Sequence, residues 1–160
     1  MSELVVDLPT RRATIALARA LARVVQPGDL YVIAGPLGAG KTFLVRAVCR
    51  AIGLDRSVRV TSPTFTLVHE YPTVPPVIHA DLYRVDSDSG VEDLGLVEQR
   101  DRGNVLFVEW GGAHVEALGG DAVMIELGVA PRRARVRSTG PVSAARVEAL
   151  RSSTSGLADA

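Results

Sequence analysis

Residues 35–42 constrain this chain more than any other segment. They read GPLGAGKT and match the phosphate-binding pattern G-x-x-x-x-G-K-[ST] at every required position. With average residue usage, this pattern arises by chance in only about 0.5% of chains of this length. Residues 29–34 (DLYVIA) predict a buried strand before the loop, and residues 41–52 predict a helix after it that ends at Gly53. We therefore expect a phosphate-binding loop between a strand and a helix.

The residue types of this loop explain its expected chemistry. Gly38 and Gly40 allow a left-handed backbone, so that backbone N–H groups can point inward at an anion. The helix that begins at Lys41 adds free N–H groups and the positive end of its dipole. Lys41 is expected to reach the β- and γ-phosphates of a nucleotide, and the Thr42 hydroxyl to ligate Mg²⁺. The predicted nucleotide contacts in this segment are Gly35, Leu37, Gly38, Ala39, Gly40, Lys41, Thr42 and Phe43.

Composition independently points to Lys41. The chain has 18 basic residues, and Lys41 is the only lysine among them. A compact ammonium and a planar guanidinium are not interchangeable where a point charge must fit a tight pocket. The preference for arginine elsewhere therefore supports a special role for this one lysine.

Two acidic residues are placed to complete a nucleotide site. Glu109 ends the apolar run 105–108 (VLFV), and Asp81 follows the run 77–80 (VIHA). In such sheets ligands bind beyond the carboxyl ends of the strands, where a carboxylate can hold Mg²⁺ or its waters. Either acid can be the metal ligand at this point. We predict Lys41, Asp81 and Glu109 as the catalytic residues.

Three other residue types are rare in this chain or chemically reactive: histidine, tryptophan and cysteine. His79 is expected to be an ordinary strand residue, with a catalytic role as the minority alternative. Trp110 is the only tryptophan and is expected to fill core or interface space, with packing beside the nucleotide site as the alternative. Cys49 is the only cysteine, which excludes an intramolecular disulfide and a cysteine metal cluster.

The order of elements predicts an α/β P-loop NTPase fold, with a largely parallel sheet, flanking helices and additional C-terminal strands. Thr10 is expected to cap the first helix. The other expected elements are a strand at 4–8, a helix at 91–98, strands at 122–129 and 134–138 with Arg132 and Arg133 in the turn between them, and a helix at 143–151. A length of 160 residues predicts one domain, placed at 1–151, and the small, polar residues 152–160 predict a disordered tail.

Charge and hydropathy limit the classes of function. The 18 basic and 18 acidic residues give a net charge of zero, whereas a free-standing nucleic-acid binder is usually strongly basic. We therefore expect no strong binding of tRNA by the chain alone, and any tRNA role to be indirect, through a complex. No apolar run approaches the roughly 20 residues of a membrane span, and the N-terminus lacks a signal pattern. The expected location is the cytoplasm, with no membrane partner.

Four motifs together resemble the bacterial TsaE (YjeE) family. They are LGAGKT at 37–42, SPTFTLV at 62–68, H-x-DLYR at 79–84 and EW at 109–110. Their order and spacing match the family, and the resemblance extends from Leu8 to the region of Arg132. It is weakest in the last quarter of the chain. The chain also departs from the family pattern at 111–112, where two glycines follow EW and a charged residue is common.

The resemblance implies a small ATPase that uses ATP and Mg²⁺, converts ATP to ADP and phosphate, and is slow alone. Such proteins dock on the TsaB–TsaD heterodimer, in which TsaD transfers a threonylcarbamoyl group to adenosine 37 of tRNA. Their ATP hydrolysis supports repeated turnover of that complex. The resemblance further implies that Thr42 and Glu109 hold Mg²⁺, that Asp81 positions water or the metal shell, and that Thr10 and Arg132 contact the nucleotide away from its phosphates.

Within the segment 62–68, the resemblance implies a switch-like loop in which Ser62, Thr64 and Thr66 take part. The residue types allow this role, because Pro63 interrupts a β-rich run and the threonine hydroxyls can sense a γ-phosphate. A hairpin edge explains the same residues equally well.

Three rival functions also use a phosphate loop of this kind. A small-molecule P-loop kinase needs an arginine-rich lid, but the arginines at 132, 133, 135 and 137 alternate with apolar residues as an exposed strand face does. An ordinary GTPase needs an Asn-Lys-x-Asp motif, and the only lysine already lies in the phosphate loop. A binding module with negligible turnover is not separable from a slow ATPase by sequence, since a partner can supply the positioned water.

Overall fold

The computed structural model describes residues 3–63 and 67–155, which form a β-sheet covered by helices on both faces. In chain order the elements are β1 (Glu3–Asp7), α1 (Arg11–Val24), β2 (Leu30–Ala34), α2 (Lys41–Ile52), β3 (Val68–Tyr71), β4 (Val77–Asp81), α3 (Asp88–Glu92), α4 (Leu96–Asp101), β5 (Val105–Glu109), β6 (Ala122–Val129), β7 (Arg132–Ser138) and α5 (Pro141–Thr154). A short 3₁₀ turn, Gly112–His114, follows β5.

Within the described residues the strands lie in the order β1-β7-β6-β2-β5-β4-β3. The four central strands β6, β2, β5 and β4 are parallel to one another. Both edges are antiparallel, because β7 and β1 extend one side and β3 the other. The predicted α/β class is confirmed, including the additional C-terminal strands β6 and β7.

Strand alternation divides the core into two layers. On β2, Tyr31 and Ile33 face the core formed with α1, α2 and α5, and the Tyr31 ring stacks on Phe107 with ring centroids 4.8 Å apart. Leu30 and Val32 face the opposite core, which contains residues of α3 and α4. The parallel strands are therefore buried on both faces, as their continuous apolar sequences predicted.

Several predicted boundaries agree closely with the structure. Helix α2 begins at Lys41 and ends at Ile52, and Gly53 caps it with a left-handed backbone. Thr10 caps α1, because its hydroxyl accepts the N–H of Ala13 at 3.2 Å.

Cys49 is fully buried in α2, and burial raises the pKa of its thiol to about 12, so this cysteine packs as a small apolar residue.

Other predicted boundaries were wrong. Arg132 and Arg133 lie in β7 rather than in a turn, because the reversal occurs at residues 130–131 and both arginines pair with β6. The helix predicted at 91–98 is two helices, since Gly95 takes a left-handed conformation (φ 69°) between α3 and α4.

The last helix is also longer than predicted. It begins at Pro141, whose fixed φ suits the first position of a helix, and Asp121 accepts the N–H groups of Val142 and Ser143 at 2.9 and 2.8 Å. The helix continues to Thr154, so residues 152–154 of the predicted tail are helical. Residues 156–160 lie outside the described residues. Among the helices of residues 3–63 and 67–155, none has the length and apolar character that a membrane span requires.

Candidate functional site

The segment between β2 and α2 forms a tight turn at the carboxyl edge of the parallel strands. Gly40 takes a left-handed conformation (φ 97°) immediately before α2, which favours glycine over residues with a side chain. A Cβ atom at Gly35 would lie 2.7 Å from the Leu127 carbonyl oxygen on β6, so this position has no room for a side chain. The motif therefore requires glycine at position 40 for its backbone conformation and at position 35 for lack of space.

Lys41 is held inside this turn although it carries a charge. Its side chain is buried, with 6% of its surface exposed, and its Nζ donates to the carbonyl oxygens of Gly35 at 2.7 Å and Pro36 at 3.0 Å. An ammonium has three donors, so one proton remains for a further acceptor. Nζ also lies 4.9 Å from the centroid of the Trp110 ring, at a cation–π distance.

The two predicted acids lie side by side. Asp81 ends β4 and Glu109 ends β5, and the register of these parallel strands pairs them directly. Glu109 also pairs with Ile33 on β2, the strand that leads into the phosphate loop. Both carboxylates are almost fully buried. The tertiary structure therefore brings both acids next to the start of α2.

Glu109 contacts the phosphate loop, whereas Asp81 faces the segment before β3. The Oε2 atom of Glu109 accepts the Thr42 hydroxyl at 3.1 Å. The Asp81 carboxylate accepts the N–H of Tyr83 at 2.9 Å and the hydroxyl of Ser62 at 3.2 Å. The two acids thus have different partners: one touches the predicted metal ligand Thr42, and the other anchors Ser62. Thr64 and Thr66 lie outside the described residues.

His79, predicted as a strand residue with a catalytic role only as the minority alternative, lies in β4 and contacts Glu109. It is fully buried, and its Nε2 lies 2.5 Å from the same Oε2 atom of Glu109 that accepts Thr42. The signal was present in the sequence: His79 and Asp81 are two residues apart on one strand and therefore share a face. The hydrogen bond to Glu109 became visible only when β4 and β5 paired.

Aromatic side chains border the entrance to this site. Trp110 follows Glu109 with a left-handed backbone (φ 61°), which is uncommon for a residue of this size. Its ring packs edge-on against Tyr83 at a centroid distance of 5.0 Å, and both side chains are exposed to solvent. The observed position of Trp110 favours the alternative in which it packs beside the site rather than in the core.

Two cavities flank the phosphate loop. The first has a volume of about 590 Å³ and contains Lys41, Thr42, Asp81 and Glu109 in its lining. The second, of about 450 Å³, lies on the other side of the loop and is lined by Thr10, Phe43 and Arg132 among others. Gly38, Gly40 and Phe43 border both cavities. The structure therefore separates the predicted residues into an acidic side, with the lysine, and a side lined by Thr10 and Arg132.

The predicted nucleotide contacts are thus gathered around one loop. Leu37, at the tip of the turn, is 95% exposed, whereas Ala39 is buried beneath it. The guanidinium groups of Arg11 and Arg46 lie 5.7 and 5.4 Å from the centroid of the Phe43 ring. These contacts fix the Phe43 ring at the border between the two cavities.

Comparison with known proteins places these features in a family context. The family model "Threonylcarbamoyl adenosine biosynthesis protein TsaE" matches residues 8–136. The tRNA threonylcarbamoyladenosine biosynthesis protein TsaE of Streptomyces coelicolor is 39% identical over 116 residues, which are 69% of this chain and 76% of that protein. The protein of the same name from Bacillus subtilis is 42% identical over 98 residues, 61% of this chain and 60% of that protein.

A solved structure shows the same architecture. The crystal structure of Bacillus subtilis YdiB superposes with a TM-score of 0.79 at 28% sequence identity, and the match covers 94% of this chain and 95% of that chain. The structural similarity therefore extends beyond residues 8–136, which the family model matches.

Proposed function

The chain belongs to the TsaE family of threonylcarbamoyl adenosine biosynthesis proteins, and from this membership we propose that it is a magnesium-dependent ATPase serving that tRNA modification. One observation supports the ATPase most strongly: Lys41, Thr42 and Glu109 share one cavity at the carboxyl edge of the sheet. A buried lysine, a hydroxyl and a carboxylate at a phosphate loop are the groups that a nucleoside triphosphate with its metal requires.

The donor set also suits Mg²⁺ better than a metal that needs an all-protein cage. In the described residues, no three His, Cys, Asp or Glu side chains are grouped to hold a metal by themselves. Mg²⁺ is usually bound by one or two carboxylates together with phosphate oxygens and waters. The adjacent Thr42 hydroxyl and Glu109 carboxylate supply such a partial shell. When bound, the ion would neutralise charge that develops on the phosphates.

Within this proposal the two acids have different roles. Glu109 is the direct or water-mediated metal ligand, because it is the acid in contact with Thr42. Asp81 orients the attacking water or the metal shell and links the Ser62 segment to the site through its hydrogen bond to that hydroxyl. Lys41 uses its remaining N–H to stabilise negative charge on the phosphates.

The cavity on the other side of the loop is proposed to hold the nucleoside. Its lining combines Arg132 with the apolar side chains of Leu8 and Phe43, a mixture that suits a base and ribose. The Thr10 oxygen already accepts a helix N–H, so its hydroxyl proton is the group available to a ligand.

Replacing Arg132 with glutamine tests this nucleoside site. We expect the Kd for a fluorescent ADP analogue to rise about tenfold, because a hydrogen bond from a charged group contributes about 1.5–3 kcal/mol. Arg133→Gln is the matched control, since Arg133 is the next residue on β7 and contacts Asp7 at 3.3 Å instead of the cavity. Equal affinities of the Arg132 variant and the wild type would contradict the assignment, and weakening by both variants would show a general effect of charge.

We further propose that the chain acts in the cytoplasm with the TsaB–TsaD heterodimer. Steady-state ATP hydrolysis is measured with Mg²⁺ for the chain alone, and then with the heterodimer and tRNA. Slow hydrolysis that rises when the heterodimer is added is the expected result, because a partner can supply or order the hydrolytic geometry. Hydrolysis that the heterodimer leaves unchanged would contradict the partner-dependent ATPase. Transfer of the γ-phosphate to a small molecule instead of water would support the rival kinase function.

A further inference from the structure

Although the chain has no net charge, the helices α1 and α2 form a strongly basic surface. Helix α1 carries four arginines and no acidic residue, and α2 carries Lys41, Arg46 and Arg50 and no acidic residue. The two helices pack against each other on one face of the sheet. Residues 86–101, which include α3 and α4 on the opposite face, contain six acidic residues and a single arginine. The fold therefore places the two basic helices α1 and α2 and the acidic segment 86–101 on opposite faces of the sheet.

A cleft of about 500 Å³ lies in this basic surface, between α1 and α2. Arg19 borders it from α1, Arg46 and Arg50 border it from α2, and Arg56 borders it from the loop that follows α2. We call it the arginine cleft. Arg12 and Arg23 are seven residues before and four residues after Arg19, so these three arginines lie on one face of α1 and form a basic stripe that continues the cleft.

Nearby acids compensate the cations of the arginine cleft only in part, because Asp55 interacts electrostatically with Arg50 without forming an ion pair. In the described part of the chain, no carboxylate forms an ion pair with Arg19, Arg46, Arg50 or Arg56. Arg50 instead donates to the carbonyl oxygens of Asp55 and Val58, which holds the loop carrying Arg56 against α2. Asp55 is the only acid of that loop, and its side chain is exposed and accepts the Ser57 N–H. An array of unpaired guanidinium groups attracts polyanions from solution.

We propose that the arginine cleft and its stripe on α1 bind the phosphate backbone of tRNA directly. This choice of ligand rests on the proposed function, since the family acts in a tRNA modification. The charge of the surface matches phosphates, which arginine contacts in a bidentate manner. The binding is expected to be independent of sequence, because contacts from arginines to phosphates fix position but do not distinguish one base from another.

The structure favours RNA over a membrane surface as the ligand. Helices that lie on membranes expose large apolar side chains beside their basic residues. All the large apolar side chains that are exposed in the described residues lie outside α1 and α2. An anionic lipid surface would therefore find no fully exposed large apolar side chain on α1 or α2 that could insert into it.

The zero net charge predicted no strong binding of tRNA by the chain alone, and the arginine cleft adds a weak direct contact to that expectation. A chain with no net charge is still expected to bind tRNA weakly, in the micromolar to submillimolar range of sequence-independent binding. Such an affinity is sufficient only when a complex brings the chain and the tRNA together.

The test measures binding of an unmodified tRNA transcript to the full chain by fluorescence anisotropy at several KCl concentrations. Saturating ADP keeps the phosphate loop occupied. The variant R19Q/R23Q/R56Q removes three charges that have no part in the proposed nucleotide site. We expect its Kd to rise at least about tenfold at low salt, and the slope of log K against log salt to fall by about 2, since each phosphate contact contributes roughly 0.7–0.9.

The matched control is R102Q/R135Q/R137Q, which removes the same charge elsewhere. Arg135 and Arg137 alternate on β7 with Ala134 and Val136, whose side chains face the α1–α2 layer, so these two arginines lie on the opposite face of the sheet. Binding within twofold of wild type by the control supports the proposal. Equal weakening by both variants, absence of tRNA binding at low salt, or binding to phosphatidylglycerol vesicles without binding to tRNA would each overturn it.

Binding of a fluorescent ADP analogue to all three proteins is measured in parallel. Both variants are expected to bind it like wild type, which shows that they are folded. If the wild type does not bind the ADP analogue, the result counts against the proposed ATPase. If the wild type binds the ADP analogue but not tRNA, the result counts only against the arginine cleft. Failures of the two proposals are therefore distinguishable.

Discussion

Replacing Lys41 with methionine is expected to produce the largest functional loss of any single substitution in this chain. The Kd for ATP should rise roughly 10- to 100-fold, because a hydrogen bond to a charged group contributes about 1.5–3 kcal/mol. The rate of hydrolysis should fall at least about 100-fold further, since the ammonium stabilises charge that grows as the γ-phosphate leaves. Isothermal titration calorimetry and phosphate release measure the two effects separately.

The controls for this prediction follow from the geometry of the lysine. Lys41→Arg keeps the charge, but its planar group has to fit where a compact ammonium lies between the carbonyls of Gly35 and Pro36. We expect Lys41→Arg to recover little of the activity. Arg102→Met, an exposed cation elsewhere, should behave like wild type. A folded Lys41→Met protein that binds and hydrolyses ATP normally would contradict the proposed site.

Replacing Glu109 with glutamine is expected to separate nucleotide binding from hydrolysis. The substitution keeps the shape of the side chain and removes its negative charge. Hydrolysis should fall about 100- to 1,000-fold because the metal loses a charged ligand, while binding of ATP without Mg²⁺ should change by only a few fold. The discriminating measurement is the Mg²⁺ concentration that gives half-maximal hydrolysis.

Asp81→Asn provides the comparison that distinguishes the two acids. Asp81 contacts Ser62 and Tyr83 rather than Thr42. Its substitution should therefore lower the maximal rate with little change in the Mg²⁺ requirement, whereas Glu109→Gln should raise the requirement strongly. The reverse pattern would show that Asp81 is the metal ligand and Glu109 the positioning group.

The same Mg²⁺ titration tests the position of His79 behind Glu109. His79→Leu removes the hydrogen bond to Oε2 and should raise the half-saturating Mg²⁺ concentration about tenfold, in the range found for residues that orient metal ligands. In His79→Gln a side-chain amide nitrogen can reach the place of Nε2 and should restore part of the affinity. If both variants hydrolyse ATP equally slowly and their half-saturating Mg²⁺ concentration is unchanged, His79 has a packing role only.

Much of the fold was predictable because its signals are local. The glycine-rich turn, the caps at Thr10 and Gly53 and the apolar strands depend on neighbouring residues, and the boundaries of α2 were predicted without error. The errors occurred where distant groups determine a boundary. Asp121 caps α5 from 20 positions before Pro141, and pairing with β6 extends β7 to include Arg132. No local pattern reveals either contact.

The candidate site shows the same division. The sequence identified Lys41, Thr42, Asp81 and Glu109, because each residue follows a motif or ends an apolar run. It left open which acid contacts Thr42, and it gave His79 a part in the site only as a minority alternative. Both points depend on the pairing of β4 with β5, which sets Asp81, Glu109 and His79 in register.

The sequence by itself determined where the phosphate-binding motif lies, because this motif is a short contiguous segment whose conformation and charge are encoded by its own residues. Only the tertiary structure decided which acid contacts Thr42, how the two cavities lie on either side of the loop, and that basic and acidic helices occupy opposite faces. Net charge is a sum over the chain and contains no positions, whereas an electrostatic field depends on where each charge lies. The arginine cleft could therefore emerge only once α1 and α2 were packed together.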